Sequence, residues 1–295
     1  MVSQFKYPFP VSYNKWKDLI YDVVEKNWNL NRTAVNQDTD KLVKYLNENA
    51  YEHAEIHQFQ AASECLTWTI PHHWHVREAY IETMSGKRIV DYSDNALHLW
   101  SHSIPVDDVF AIDELKNHII TDENRPDEFK YHYRLGYRSE EKGFGFSIPY
   151  RTFSQMNDSK YRVHIDADLD TNGTMKVVDI KLPGESTDTI FFMAHTCHPW
   201  LVNDGLSCIA IAMALFNLLK EKSARKYTYR FIFGPEYFAS AGMLSKLDDG
   251  ELKKLKFGCY LDMLGNHEPM GFQRSFQGDS LFDKVIGRLC QSKSA

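Results

Sequence analysis

The chain has 295 residues, of which 43% are hydrophobic and 25% are charged, and its formal net charge is −6. This composition is typical of a globular protein, and the length predicts about two domains. The negative charge leaves no basic footprint for nucleic acid or for an anionic membrane. We find no signal-peptide core at the start of the chain and no apolar run of about 20 residues. The sequence therefore predicts a soluble cytoplasmic protein, and it does not predict an oligomeric state.

Two amphipathic helices are predicted near the start of the chain, over residues 12–27 and 39–49. Apolar side chains recur at helical spacing in both, and they are Leu19, Ile20, Val23, Val24, Leu42, Val43, Tyr45 and Leu46. We expect the two helices to form a layer that packs onto a sheet.

The middle of the chain changes to short segments rich in β-branched and aromatic residues, separated by turn residues. We therefore predict a small β-rich domain over residues 75–155, inserted into an α/β domain formed by residues 1–74 and 156–295. We expect the inserted domain to be independent and to lie away from the functional site. Strands are predicted to resume at residues 161–167 and 174–182.

Three short apolar runs follow at residues 189–194, 227–233 and 257–261, and an apolar segment of helical length, residues 206–222, separates the first two. Continuous apolar runs joined by a crossover helix are typical of buried parallel strands. In open sheets of this kind, ligands bind beyond the carboxyl ends of the strands. Each run is followed by a histidine, an aspartate or a glutamate, so we expect functional side chains at this edge.

Five residues with metal-binding or acid-base chemistry lie after these runs or in the turns between them, and they are His195, His198, Asp204, Glu236 and Asp262. If the strands are parallel neighbours, one of the two histidines and the three acids converge on one edge of the sheet. Imidazole and carboxylate ligands suit zinc, and they suit manganese or cobalt less well. The residues leave open which histidine is the ligand.

Cys197 lies between the two histidines and offers a second chemistry, that of a cysteine hydrolase with His195 or His198 as its base. Residues so close in sequence seldom present a nucleophile and a base to one another correctly, and no orienting acid is evident. The five cysteines also lack CxxC spacing, which agrees with a reducing compartment and argues against a zinc site built from thiolates. We therefore prefer a metal site of His and Asp residues.

Five segments of the chain match the pattern of one protein family, and they are TWTIPHHWHVREAYI, SIPVDD, AHTCHPWLVNDGLS, YTYRFIFGPE and LDMLG. Together they resemble the aminopeptidase-like proteins of bacterial surface-polysaccharide biosynthesis clusters, a family related to two-zinc exopeptidases. This resemblance implies a three-layer α/β/α sandwich with a mixed, mostly parallel sheet of the zinc aminopeptidase or phosphorylase-like type. It also implies a metallopeptidase-like hydrolase that acts on a small peptide or amide.

The resemblance also implies roles for individual residues. His198, Asp204 and Glu236 match the motifs of the family. Comparison with two-zinc aminopeptidases instead places the first ligand on His195, the bridging ligand on Asp204, the general base on Glu236 and a further ligand on Asp262. Zinc would acidify a bound water, and Glu236 would accept its proton and pass it to the leaving amine.

The chain differs from the family in three ways. Tyr237 occupies the position where the two-zinc enzymes carry a second metal-binding glutamate, and the family's Asn-Leu-Ser-Gly appears as Gly-Leu-Ser-Cys at residues 205–208. The family also continues beyond residue 295, with a further metal-binding histidine, so we expect the C-terminal part of the α/β domain to be missing. We therefore expect one zinc ion rather than two. A catalytically degenerate binding or assembly protein in surface-polysaccharide biosynthesis stays open as the alternative.

Overall fold

The structure is a computed structural model that describes residues 13–138, 141–267 and 271–293. Its strands are β1 (Ala54–Gln60), β2 (Glu64–Cys65), β3 (Trp68–Thr69), β4 (His73–Thr83), β5 (Arg88–Asp91), β6 (Val106–Ala111), β7 (Ile119–Ile120), β8 (Phe146–Ser147), β9 (Lys160–Asp170), β10 (Thr174–Leu182), β11 (Thr189–His195), β12 (Thr228–Gly234) and β13 (Leu255–Tyr260). Its α-helices are α1 (Tyr13–Asn27), α2 (Gln37–Asn49), α3 (Ile112–Leu115), α4 (Arg134–Tyr137), α5 (Tyr150–Phe153), α6 (Ser207–Lys220), α7 (Phe238–Lys246), α8 (Asp249–Lys254) and α9 (Leu281–Lys293).

The two N-terminal helices form where the periodicity predicts them. The side-chain oxygen of Asn36 caps α2, because it accepts a hydrogen bond from the backbone N–H of Thr39 at 2.9 Å. This cap starts α2 at Gln37, slightly before the predicted start. The predicted start of the first helix, residue 12, lies outside the described residues, and α1 ends at the predicted position, Asn27.

The central sheet has the strand order β1-β10-β12-β11-β13. β11 is parallel to both of its neighbours, β12 and β13, whereas β10 is antiparallel to both β1 and β12. The prediction of a mostly parallel sheet is therefore wrong, because half of these pairings are antiparallel. The continuous apolar runs indicated only the three parallel strands, and the sequence of β1 is too polar to produce such a run.

Helices cover both faces of the central sheet. On one face, α1, α2 and α6 enclose a core that contains Leu42, Phe231 and Phe233. On the other face, α7 packs against a core that contains Ile232 and Phe238. Because successive residues of β12 enter opposite cores, this strand is apolar on both faces. The result is a layer of helices on each side of a mixed sheet.

Residues Val202–Lys220 are long and apolar enough to cross a membrane by length and composition alone. The prediction that the chain has no apolar run of about 20 residues did not include this segment. Within it, however, α6 packs against α1 and the central sheet, and Ile209, Ala212, Met213 and Phe216 are fully buried. Burial in the protein core therefore accounts for the apolar character of this helix.

A second sheet has the strand order β5-β4-β9-β6, and all of its pairings are antiparallel. One face buries Ile81, Val163 and Ile165, whereas the other face carries exposed ion pairs. β9 belongs to this sheet although it follows the predicted border at residue 155. The chain then passes from β9 to β10 through Gly173, which has a φ of +108°. The domain borders themselves stay a prediction.

Candidate active site

The carboxyl ends of β11, β12 and β13 lie side by side at one edge of the central sheet. His195 is the last residue of β11, and it pairs with Gly234, the last residue of β12. β13 runs parallel to β11 and ends at Tyr260. Glu236 and Asp262 follow shortly after the ends of β12 and β13, so the parallel arrangement brings both acids toward His195.

Three of the predicted ligands, His195, Asp204 and Asp262, come together at this edge. His195 Nε2 lies 2.9 Å from Asp204 Oδ1 and 3.5 Å from Asp262 Oδ1. Ligand atoms at zinc bond lengths of about 2.0–2.2 Å in a tetrahedron lie about 3.4 Å from one another. The side chain of His195 is 2% exposed, and its Nδ1 is buried without a partner among the described residues. This donor set and its spacing fit a zinc ion.

His198 lies between this group and Glu236. Its Nε2 is 3.9 Å from Asp204 Oδ2 and 3.9 Å from Glu236 Oε2. The rings of His195 and His198 are 4.4 Å apart between centroids and nearly perpendicular, at 80°. Both histidines therefore approach Asp204, but His195 also approaches Asp262. The distances favour His195 as the residue that would share an ion with Asp262.

A tight turn, Val202–Leu206, places Asp204 against His195. Asp204 and Gly205 both have non-helical backbone angles, and the φ of Gly205 is +108°. Residues with a side chain rarely adopt this φ. A Cβ atom at Gly205 would also lie 3.1 Å from the carbonyl oxygen of His195. Glycine therefore allows the turn to approach β11 closely, which brings the Asp204 carboxylate to the imidazole.

Arg32 fixes the loop between β11 and α6, and sequence analysis did not identify it. Its side chain is 1% exposed, and it donates hydrogen bonds to the carbonyl oxygens of Thr196, His198 and Leu201 at 3.1, 2.6 and 3.1 Å. Burial lowers the pKa of Arg32 to about 10, so the group is still cationic at neutral pH. A buried charge is stable only with such partners. Arg32 therefore holds the ligand loop in one conformation.

A strained turn holds Glu236 at the mouth of the sheet. The N–H of Phe238 donates a hydrogen bond to the carbonyl oxygen of Glu236 at 2.7 Å, and Tyr237 between them has φ +59° and ψ −51°. These angles belong to the γ-turn with positive φ, which is rare and strained. Backbone strain of this kind clusters at functional sites. Since α7 begins at Phe238, Glu236 is held between the end of a strand and the start of a helix.

Two tyrosines from the middle of the chain complete the site. Tyr137 donates a hydrogen bond to Glu236 Oε2 at 2.5 Å, and Tyr131 packs on His198 with 5.4 Å between ring centroids. Burial, together with the neighbouring thiol and carboxylate, raises the pKa of Tyr137, so its hydroxyl stays a donor. We expected residues 75–155 to lie away from the site, and this is wrong for residues 131–137. Nothing in that stretch of sequence indicates its return to the central sheet.

The charges at this edge depend on one another. Burial opposes a charge on His195, but Asp204 and Cys197 outweigh burial and raise the pKa of His195 to about 10. Burial also favours a neutral Cys197 thiol, yet the two neighbouring imidazoles, of His198 and His195, lower its pKa to about 6. Burial opposes the Asp204 carboxylate as well, and the hydrogen bond from His195 overcomes it and lowers that pKa. The Asp204 carboxylate therefore attracts positive charge, which a divalent cation would supply.

A cavity of about 1110 Å³ opens onto the site, and His198, Asp204 and Glu236 lie in its described lining. Cys197 instead lines a separate cavity of about 20 Å³. Its Sγ lies 3.7 Å from His198 Nδ1 and accepts a hydrogen bond from the N–H of Glu236 at 3.3 Å. Cys197 therefore lies outside the described lining of the large cavity, which disfavours the cysteine hydrolase.

Two comparisons of the sequence with known proteins bear on this site. A family model described as a domain of unknown function (DUF4910) matches residues 21–295. The chain is also 29% identical, over 270 residues, to a protein of Clostridium acetobutylicum that is named provisionally as a polysaccharide biosynthesis protein with an aminopeptidase-like domain. This match covers 92% of the chain and 60% of the relative. The chain thus spans less than two thirds of the relative's length.

Two of the solved structures that are similar to this one bear on the fold. A crystal structure from Clostridium acetobutylicum is described provisionally as a peptidase. It has a TM-score of 0.83 and is 28% identical to this chain, and the match covers 94% of this chain and 64% of the other chain. The structure of the zinc aminopeptidase BSAP from Bacillus subtilis has a TM-score of 0.65 and is 14% identical to this chain. The match covers 95% of this chain and 77% of the BSAP chain. The identity to BSAP is so low that the likeness shows the fold alone. That fold is a mixed sheet between helices.

Proposed function

Because the chain belongs to the DUF4910 family and shares the fold of zinc aminopeptidases, we propose that it is a zinc-dependent hydrolase that cleaves an amide or peptide bond. The family resemblance found in the sequence is confirmed, and the fold is confirmed as a mixed α/β fold similar to that of zinc aminopeptidases. Our proposal includes one zinc ion, a small peptide or amide as the substrate, and a cytoplasmic location. The name of the relative extends the proposal to a role in polysaccharide biosynthesis.

The observation that carries the proposal is the convergence of one imidazole and two carboxylates beside a separately held carboxylate. His195, Asp204 and Asp262 would hold the ion, because one ligand atom of each lies within 4.8 Å of the others. When bound, zinc supplies a Lewis acid that polarises a carbonyl and makes water more acidic. Glu236 is held outside this group by Tyr137, which suits a base rather than a ligand.

Glu236 would carry the proton during hydrolysis. Its Oε2 accepts the hydrogen bond from Tyr137, and His198 approaches the same oxygen. Its Oε1 has no hydrogen bond among the described residues, so we assign Oε1 as the atom that accepts a proton from the attacking water. The same atom then gives this proton to the leaving amine. The strained turn at Tyr237 fixes the backbone at Glu236 and so limits how far the carboxylate can move.

Glu236→Gln tests the proposal, because it removes the basic oxygen and preserves the size of the side chain. We expect the variant to keep its zinc and to lose roughly 100-fold or more in turnover of an amide substrate. The matched control is Glu48→Gln, whose side chain is 62% exposed on α2, and it should change neither quantity. Loss of zinc from Glu236→Gln would show that Glu236 is a ligand. Loss of neither zinc nor turnover would place the site elsewhere.

Tyr237 favours a second candidate function, a binding or assembly protein without catalysis. By resemblance, two-zinc enzymes carry a metal-binding glutamate directly after the base, where this chain has Tyr237. A protein of this kind would take up zinc, hydrolyse no amide and show no difference between wild type and Glu236→Gln.

A further inference from the structure

We propose that Tyr237 and Trp68 form a stacking surface for a sugar ring, and that the scissile amide belongs to an N-acylated amino sugar rather than to a peptide N-terminus. This substrate class rests on the proposed hydrolase function. Three features of the large cavity support it: an exposed aromatic ring, the strained backbone beneath that ring and the distribution of charge along the lining.

Tyr237 presents its aromatic ring to the cavity directly beside Glu236. The residue is 55% exposed, although its ring stacks on Trp68 with 5.5 Å between centroids and 19° between planes. Tyr137 contacts the same ring edge-on, at 5.8 Å and 81°. The ring is therefore held in place by two aromatic neighbours while much of it stays accessible. A ligand that packs on a ring already fixed in this way causes little further loss of side-chain entropy.

The backbone at Tyr237 is strained where this ring is presented. Its positive φ of +59° is a conformation that glycine and asparagine adopt more readily than tyrosine. The exposed ring is not needed to fill the core, since Phe238, the next residue, is 1% exposed and does so. A large aromatic side chain on a strained turn at the mouth of a cavity indicates contact with a ligand.

The charges of the cavity disfavour a peptide N-terminus. In the described lining, the carboxylates are those of Asp204 and Glu236, and the proposed function uses both of them. An aminopeptidase substrate carries an ammonium group next to the scissile bond, and such a group requires a carboxylate partner when it leaves water. The lining also contains Arg134 and Arg138, and the guanidinium group of Arg134 is held in a bidentate pair with Glu141. A neutral amide, which needs no further carboxylate, therefore fits this lining better.

An N-acylated amino sugar joins an amide to a ring whose C–H groups can pack on the negative face of an aromatic side chain. Thr67 and Thr69 lie in the lining on either side of Trp68, and their hydroxyls can exchange hydrogen bonds with sugar hydroxyls. Hydrolysis would break the C–N bond of the amide. Water would supply the oxygen of the new carboxylate and two protons to the nitrogen, which releases the amino sugar with a free ammonium group.

The first experiment compares two amides on the zinc-loaded protein. Acetate release from N-acetylglucosamine 1-phosphate is measured against nitroaniline release from leucine 4-nitroanilide. We expect kcat/KM to be at least about tenfold higher for the sugar, because an unpaired ammonium disfavours the anilide. Faster turnover of the anilide would overturn the substrate class and leave the hydrolase function intact. Failure to take up zinc would instead overturn the proposed function.

The second experiment measures binding without turnover, by calorimetric titration of N-acetylglucosamine 1-phosphate into Glu236→Gln protein. Adding Tyr237→Ala to this background should raise the Kd about tenfold or more, the usual scale for a lost stacking contact. Tyr237→Phe keeps the ring and should retain binding close to that of its parent.

The matched control for the titration is Tyr51→Ala in the same background. It removes a ring that is 77% exposed and lies outside the described lining, so the Kd should not change. The proposal is overturned if the Glu236→Gln protein binds no sugar phosphate. It is also overturned if Tyr237→Ala and Tyr51→Ala have the same Kd.

Discussion

The central sheet and the four-stranded sheet differ in what covers their faces. β12 of the central sheet buries Phe231 on one face and Ile232 on the other. The four-stranded sheet buries one face only, and on its other face Arg77 pairs with Asp166 and Asp168 in solvent. The predicted site residues follow strands of the central sheet. Burial on both faces fixes the end of β12, which Glu236 follows. The chain between β7 and β8, next to the four-stranded sheet, instead contributes tyrosines to the site.

The largest expected effect is on the free energy of unfolding, and measuring it tests the difference in burial between the two sheets. Phe231 is fully buried in the core under α6, and Phe231→Ala should lower the free energy of unfolding by about 3–5 kcal/mol through lost contacts and a cavity. The measurement is urea denaturation. Phe276→Ala is the matched control, because Phe276 is fully exposed, and it should leave stability unchanged. A loss below about 1 kcal/mol for Phe231→Ala would contradict the proposed importance of two-sided burial.

The next effect concerns a buried histidine beside the four-stranded sheet. His102 is 5% exposed and stacks on Trp74, and burial lowers its pKa to about 4. Its pKa in the unfolded chain is about 6.5. Since the unfolded state binds the proton more tightly, stability should fall as the pH drops from about 6.5 to about 4, by up to about 3 kcal/mol.

Urea denaturation at pH 7 and pH 4 checks this expectation. His102→Gln should remove the contribution of this histidine, so the variant should lose less stability than wild type between the two pH values. An identical loss in both proteins would show that His102 does not sense pH in this range.

A smaller effect is expected on zinc affinity when Arg32, which holds the loop after β11, is replaced. Arg77 on the four-stranded sheet serves as the comparison. Arg32→Met removes the donors that hold the loop after β11, so zinc affinity should fall about 10–100-fold, the usual range for residues that orient metal ligands. Arg77→Ala removes an exposed ion pair from the four-stranded sheet and should leave zinc affinity unchanged. Competition with a chromophoric chelator measures both affinities, and circular dichroism checks the fold. Equal affinities for the two variants would rule out an orienting role for Arg32.

The smallest expected effect concerns the hydrogen bond from Tyr137, between β7 and β8, to Glu236, after β12. Tyr137→Phe removes the hydrogen bond to Glu236, and turnover of the amide substrate should fall about tenfold, as expected for a hydrogen bond to a charged group. Zinc content should stay the same, because the hydroxyl of Tyr137 bonds to Glu236 and not to a predicted ligand. Tyr21→Phe, on an exposed part of α1, is the control. An unchanged turnover in Tyr137→Phe would mean that Glu236 is positioned by its strand and turn alone.

The same difference in burial explains what could be predicted from the sequence. Strands with two apolar faces leave continuous apolar runs, so β11 and β12 and the residues after them were evident. β13 has one exposed face, and it was evident only from the short run at residues 257–261. The sequence of β1 is polar and contains no such run. No feature of the sequence of β10 indicates that this strand is antiparallel to its neighbours. Arg32 bonds to main-chain atoms up to 169 positions away, and Tyr137 bonds to a residue 99 positions away. Contacts of this kind depend on the tertiary fold and have no periodic pattern.

The central claim is that the carboxyl edge of the central sheet binds zinc through His195, Asp204 and Asp262. Its most direct test is calorimetric titration of zinc into metal-free protein, with elemental analysis of the product. We predict uptake of about one ion per chain, which His195→Ala abolishes. His98→Ala is the control, because His98 bonds to the carbonyl oxygen of Ser147, and it should bind as wild type does. Wild-type protein that takes up no zinc, or His195→Ala protein that binds it equally well, would contradict the claim.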